Sequence, residues 1–175
     1  MDTWVLVVAA DLKRDKKEEK KPELGPETVR VCEAAVHAYT REKDAVIFPA
    51  AGWSKRDRLL MGHDLMRPYF LRAGVPKTRI RTHTRRDYPF TTNGEMRALA
   101  DFFENFAEGK GEIVVVVRWW HALRALLLLW TRLREKKIRA RIRVVLVGSA
   151  SVYMLTEPFR WLWNIPNYFV RPDSS

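Results

Sequence analysis

The chain has 175 residues, 47% of them hydrophobic, enough for one domain with a full core and too little for a second of ordinary size. Thirty-two Lys plus Arg against 21 Asp plus Glu leave a net charge of +11, which favours phosphorylated small molecules, nucleic acid or an acidic surface over any basic partner. Cys32 is the one cysteine, so an intrachain disulfide and a cysteine-built metal cluster are excluded and a reducing, cytoplasmic setting is expected.

The first ten residues lack a basic n-region and carry Asp2, so Trp4 to Ala9 is read as a first strand and not as a signal peptide. It ends in Ala10-Asp11. Lys13 to Lys21 holds mixed charges and no apolar residue; it is either a solvated connector or a basic lid over an anionic ligand. Pro26 suits a first helical position, and Val29, Cys32, Val36 and Tyr39 recur at steps of three and four, predicting a helix to about Arg41. Asp44 to Phe48 predicts the second strand, closed by the turn Pro49-Ala50-Ala51-Gly52.

Ser54 is positioned to cap the next helix, with Leu59, Leu60, Met66, Tyr69 and Phe70 on its apolar side, a kink expected at Pro68, and Gly74-Val75-Pro76 as its stop. Ile80 marks a short third strand inside a basic patch made by Arg79, Arg81, Arg85 and Arg86. Thr91-Thr92-Asn93 opens a helix with Met96, Leu99, Phe103 and Phe106 on one side.

Ile113 to Val117 is five branched aliphatics in a row, with neither alternation nor helical stripe, which is how a parallel strand covered on both faces reads. The helix after it, to about Lys136, has a core stripe of Ala122, Leu126, Leu129 and Leu133 and a second apolar side of Leu123, Leu127 and Trp130. Such a helix is either deeply buried or covers a partner subunit. Its most apolar stretch, Ala125 to Trp130, is bracketed by Arg124 and Arg132 too closely to span a membrane. Val144 to Gly148 predicts a fifth strand. The tail, 152–175, is rich in aromatics and is expected to pack back on the domain or against a second copy, which makes a homo-oligomer one expected state.

Strands alternating with helices at this spacing predict one Rossmann-like α/β domain over 1–175: a doubly wound, mainly parallel five-stranded sheet with helices on both faces. In the common order 3-2-1-4-5, the turn at Asp11 faces the segment Arg118 to Arg124 across the switch-point crevice, where ligands of such sheets bind. Arg118, His121 and Arg124 fall at spacing three at the start of a helix, where backbone N–H groups and the helix dipole already favour anions. His121 is the candidate acid or base, since an ordinary imidazole titrates near neutrality, and Arg118 and Arg124 are the candidate anion clamps. Asp11 would bind a ribose hydroxyl, hold a cation or orient His121; as a plain turn former it needs none of these roles. Gly52, Thr92 and Glu95 complete the candidate lining, although Thr as a cap and Glu in a first turn are also what helix physics prefers.

Gly52 in the second turn, Gly74-Val75-Pro76, Thr92 within Thr91-Thr92-Asn93-Gly94-Glu95, and His121-Ala122-Leu123-Arg124-Ala125 follow one another in an order that resembles the YdcF/SanA/ElyC-like family of bacterial Rossmann-like domains of unknown function. The resemblance runs from residue 4 to about 147. It departs from the family at the first turn, Ala-Ala-Asp in place of glycines, and at Gly62, near which an acid is expected and Asp64 stands close by. The resemblance implies cell-envelope processes and a nucleotide-like, S-adenosylmethionine-like or phosphorylated precursor ligand, and leaves the cofactor unknown.

Other chemistries lack their residues. His37, His63 and His83 are isolated, so no metal site is expected. Gly148-Ser149-Ala150-Ser151 lacks the second glycine of a nucleophile elbow, and there is no Walker loop and no Gly-x-Gly-x-x-Gly. The expected partner is a small anionic ligand. Nucleic acid, suggested by the charge and the arginine patch, has no recognition motif behind it, and a non-catalytic interaction protein is the third reading.

Overall fold

A computed structural model describes residues 3–8, 11–13, 22–42, 44–50, 53–54, 59–82, 92–107 and 110–148. Four strands form one parallel sheet: β1 (Thr3–Val8), β4 (Val46–Ala50), β7 (Lys110–Arg118) and β8 (Arg139–Val147), in the order β4-β1-β7-β8. Trp4 to Val8 pair with Val46 to Ala50 on one side, and Thr3 to Val7 with Glu112 to Val116 on the other. β7 pairs with β8 along nine residues, so β1 and β7 are the central strands and their side chains are shielded on both faces. Hence their unbroken aliphatic runs.

The third strand is reduced to one parallel bridge, Ile80 to Ile47, reinforced by Arg81 N donating to the Ile47 carbonyl at 2.9 Å. Ile80 is the only apolar residue between Val75 and Arg81, so one residue is all that the core can hold there. The placement outside β4 nonetheless keeps the 3-2-1-4-5 arrangement. Pro49 is tolerated inside β4 because, among the described residues, nothing pairs with the outer edge of β4 beyond Ile47.

Helix α1 (Pro26–Arg41) packs Val31, Cys32 and Ala35 on the face formed by Val5, Val7, Ile47, Val114 and Val116. The opposite face, Leu6, Val8, Phe48, Val115 and Val117, is covered by α3 (Thr92–Ala107) through Met96, Leu99 and Phe103 and by α4 (Trp119–Glu135) through Ala125, Leu129 and Leu133. Trp4 anchors that side, its ring 6.3 Å from Phe48 and 6.0 Å from Phe103. The two-sided sheet expected from the sequence is present.

The region after β4 differs from expectation. Ser54 does not cap a helix; it pairs with Leu59 in a small antiparallel ladder, β5 (Trp53–Ser54) with β6 (Leu59–Leu60). A π-helical turn, Met61–Met66, follows and tightens into α2 (Arg67–Arg72) just before Pro68, whose missing N–H is best tolerated in a first turn. Two helix ends close alike. In α2, Gly74 and Val75 donate to the carbonyls of Leu71 and Phe70; in α4, Lys137 and Ile138 donate to those of Arg134 and Leu133. Gly74 takes φ +85° freely, whereas Lys137 is forced to +56°. A short ladder of β2 (Leu12–Lys13) with β3 (Glu23–Leu24) bounds the charged loop, whose residues 14–21 lie outside the described residues.

Candidate functional site

The carboxyl ends of β1, β7 and β8 carry two polar clusters, one on each face of the sheet. The first grows out of strand parity. Val114 and Val116 point to the α1 face, and Arg118, two residues on, continues that alternation. Its side chain is 1% exposed and its guanidinium is ion-paired with Glu27, in the first turn of α1. Gly148 closes this pocket from the end of β8. It has φ +108°, and a Cβ there would lie 1.7 Å from Arg118 Nη1, so only glycine fits.

Asp11 belongs to the same side. Its carboxylate accepts from the Thr28 backbone N–H at 2.8 Å and from the Thr28 hydroxyl at 3.0 Å, while its own N–H donates to Thr28 Oγ1 at 2.8 Å. Gly25, at the N-cap of α1, has no side chain to cap with, and Asp11, just before β2, supplies a capping oxygen. A Cβ at Gly25 would come within 2.2 Å of that carboxylate. The structure therefore commits Asp11 to the end of α1, in contact with Thr28.

The second cluster joins α3 and α4. His121, in the first turn of α4, is buried, and its Nε2 lies 3.2 Å from Oγ1 of Thr92, the first residue of α3 and itself buried. Arg124, one turn along, places Nη2 at 2.9 Å from His121 Nδ1 and 3.3 Å from Thr92 Oγ1. Arg124 Nη2 also lies 3.3 Å from His121 Nε2, and a guanidinium only donates, so it faces the imidazole edge as a donor, closest to Nδ1. The Trp120 ring stands edge-on to the imidazole, centroids 5.4 Å apart. Lower down, Arg132 Nε and Nη2 donate to Asn93 Oδ1 at 3.0 and 2.9 Å, a second tie between the same helices. Glu95 is half-buried in the first turn of α3.

Of the residues expected from sequence, the structure thus brings Thr92, His121 and Arg124 into one contact group at the start of α4. Arg118 is not on their helical face; it is the last residue of β7 and turns to the opposite side of the sheet. Gly52 lies outside the described residues. Glu27, Thr28 and Gly148 escaped the sequence reading. The signal was indirect: in a doubly wound sheet the start of the first helix lies beside the end of the fourth strand, so an acid after Pro26 and a base after Val117 are neighbours once the order is assumed.

Within the arginine patch, Arg79 is tied to the turn at Asp44, donating to its carboxylate at 2.6 Å and its carbonyl at 2.9 Å, and Arg81 lies over the Phe106 ring at 5.3 Å. Arg85 and Arg86 lie outside the described residues. Among the described residues no group of His, Cys, Asp or Glu is arranged to hold a metal ion, and no helix is long and apolar enough to cross a membrane.

The geometry defines a parallel α/β domain of Rossmann-like architecture with a His-Arg-Thr cluster beyond the end of a central strand. Compared with protein-family models, with curated proteins and with solved structures, the chain finds no match in any of the three.

Proposed function

We propose that the protein binds a small anionic ligand, of the nucleotide, S-adenosylmethionine-like or phosphorylated-precursor kind, in the crevice between the carboxyl ends of β1 and β7. The observation that carries this reading is the contact group of Thr92, His121 and Arg124 at the N-terminus of α4. There a guanidinium held against the imidazole adds to the positive end of the helix dipole, and the histidine stands beside a hydroxyl. Arg124 is the anion clamp. His121 is the donor and, if the ligand is transformed, the acid or base. Arg118, neutralised by Glu27 on the α1 side, and Asp11, which caps α1, stay in the proposed lining as supports of the rim. Gly52 and Glu95 stay in the proposed lining on the strength of the sequence.

The resemblance to the YdcF/SanA/ElyC-like family supports the same reading, because its His-x-x-Arg-Ala segment is His121-Ala122-Leu123-Arg124-Ala125, and it directs the choice of ligand towards envelope precursors. The test is a thermal-shift panel of nucleotides, S-adenosylmethionine, sugar phosphates and short oligonucleotides at low and moderate salt. It is run on the parent, on Arg124→Ala and on Arg132→Ala. A stabilising small anion whose effect disappears in Arg124→Ala and survives in Arg132→Ala is the expected result. An equal shift in Arg124→Ala refutes the site. Stabilisation by oligonucleotides alone, lost at moderate salt, transfers the function to the basic surface.

A further inference from the structure

The α4 side of β8 carries exposed apolar residues at an unpaired edge. Among the described residues no strand pairs with the outer edge of β8, although it is nine residues long. On its α4 face Val144 and Leu146 are 36% and 60% exposed. α4 continues the surface. Its contacts with α3 run through His121, Arg124 and Arg132, so at 100° per residue Leu123 and Trp130, 65% and 53% exposed, fall on the flank away from α3, towards β8. A groove of about 310 Å³ links helix and strand; Trp130, Leu133, Ile138, Ala140 and Ile142 give it an apolar lining, and Arg134, Lys137 and Arg139 line it too. Isolated exposed leucines are ordinary, but Leu123, Trp130, Val144 and Leu146, four large apolar side chains on adjoining elements, form a docking face.

We propose that this face is covered by the chain's own segment Phe159–Ile165, which adds an antiparallel strand to the outer edge of β8. The segment is Phe-Arg-Trp-Leu-Trp-Asn-Ile, with Phe159, Trp161, Trp163 and Ile165 alternating against Arg160, Leu162 and Asn164. This is the period of a half-buried strand, bounded by Pro158 and Pro166, which end a ladder. Mostly parallel doubly wound sheets commonly carry such an antiparallel edge strand. The chain leaves β8 at Gly148, and ten residues, 149–158, are ample to reverse direction. With Trp161 opposite Leu146, Trp163 falls opposite Val144 and Ile165 opposite Ile142, all on the α4 face. Leu162 then falls opposite Val145, against the α1-side core that Val145 already joins.

A second copy is the rival occupant, and charge disfavours it. Pairing β8 with β8 would set Arg139, Arg141 and Arg143 of two chains on one face, and among the described residues Glu42 and Glu112 are the acids within ion-pair reach of Arg141 and Arg143 in each. The chain's own segment brings one arginine and acts at the high local concentration of a short tether.

Hydrogen exchange on the full chain tests this directly. An open edge strand protects only the amides that face β7, whereas a paired one protects every amide from 142 to 147. The expected result is exchange at least about 100-fold slower than in an unstructured chain at all of them, unchanged on tenfold dilution. Unprotected alternate amides overturn the proposal, and so does protection that falls on dilution, which assigns the face to a second copy. A disulfide test runs in parallel. Val144→Cys with Trp163→Cys is expected to close within one chain at least tenfold faster than Val144→Cys with Asn164→Cys, which points to the other face. Equal rates, or a covalent dimer, refute the register and the occupant. Cys32 does not compete, since burial pushes its thiol up to about 12.

Discussion

Replacing Glu27 with alanine removes the carboxylate that faces Arg118 and leaves the cation where it is, 1% exposed between α1 and the ends of β7 and β8. Removing one member of a fully buried pair costs about 3–5 kcal/mol, because the remaining charge stays desolvated. Glu27 keeps 24% of its side chain in contact with water, which screens part of the interaction, so the expected loss is about 2–3 kcal/mol. In a chain of this size that lowers Tm by about 4–12 °C. Urea unfolding followed by tryptophan fluorescence measures it, with an unchanged m-value showing that only stability moved. Glu27→Leu combined with Arg118→Leu is expected to recover most of the loss seen in Glu27→Leu alone, since a well-packed apolar pair needs no desolvation. A Glu27→Ala protein within about 0.5 kcal/mol of the parent would refute the reasoning and make the ion pair energetically idle.

Four further outcomes follow from the same geometry. Gly148→Ala must both strain a backbone at φ +108° and displace the Arg118 guanidinium, so a loss of at least about 2 kcal/mol is expected in the same urea assay. Asp11→Ala deletes the cap of α1 and is expected to cost about 1–2 kcal/mol, with Asp11→Asn costing less than half as much because its Oδ1 still accepts from Thr28 N; equal costs would exclude the capping role. Lys137→Gly relieves a left-handed lysine at φ +56° and is expected to raise stability by about 0.5–1 kcal/mol, read as an upward shift in Tm.

Cys32 supplies a pH test. Burial raises its thiol from 9.0 to about 12, so the unfolded chain loses this proton first, and stability contributed by the protonated thiol is complete below pH 9 and falls as pH rises towards 12. The slope difference between parent and Cys32→Ala in that window is expected to approach 1.4 kcal/mol per pH unit at most. Ellman's reagent should find the native thiol silent at pH 8.

The strands were legible in the sequence wherever the chain is apolar without interruption, as at Val5–Val8 and Ile113–Val117, because only a central parallel strand buries both faces. The helices were legible where a 3.6-residue stripe meets a clear start, as at Pro26 and Thr92. Periodicity failed between Trp53 and Met66. There Leu59 and Leu60 read as helix although they form a two-residue ladder, too short for any period to distinguish. Spacing also misled at Arg118, which looks like one more turn of the His121–Arg124 face. β7 stays extended through that residue, and extension sends its side chain to the opposite side of the sheet. The contact of His121 with Arg124 was readable as neighbours three apart; their contact with Thr92, 29 and 32 positions away, came only with the packing of α3 on α4.

The pairing of β1 with β7 also has a history in time. β1 emerges first from a ribosome and finds β4 within about 40 residues, yet its other edge pairs with residues about 110 positions later. At roughly 5–20 residues per second, that edge waits on the order of 5–20 s for its partner. During the wait the chain exposes Val5, Leu6, Val7 and Val8, a short, uncharged, strongly β-forming run that is also the run most able to join a neighbouring nascent chain. A strand that ends buried on both faces is therefore one whose expression depends on fast or dilute synthesis, or on a chaperone that holds its open edge until Ile113 to Val117 arrive.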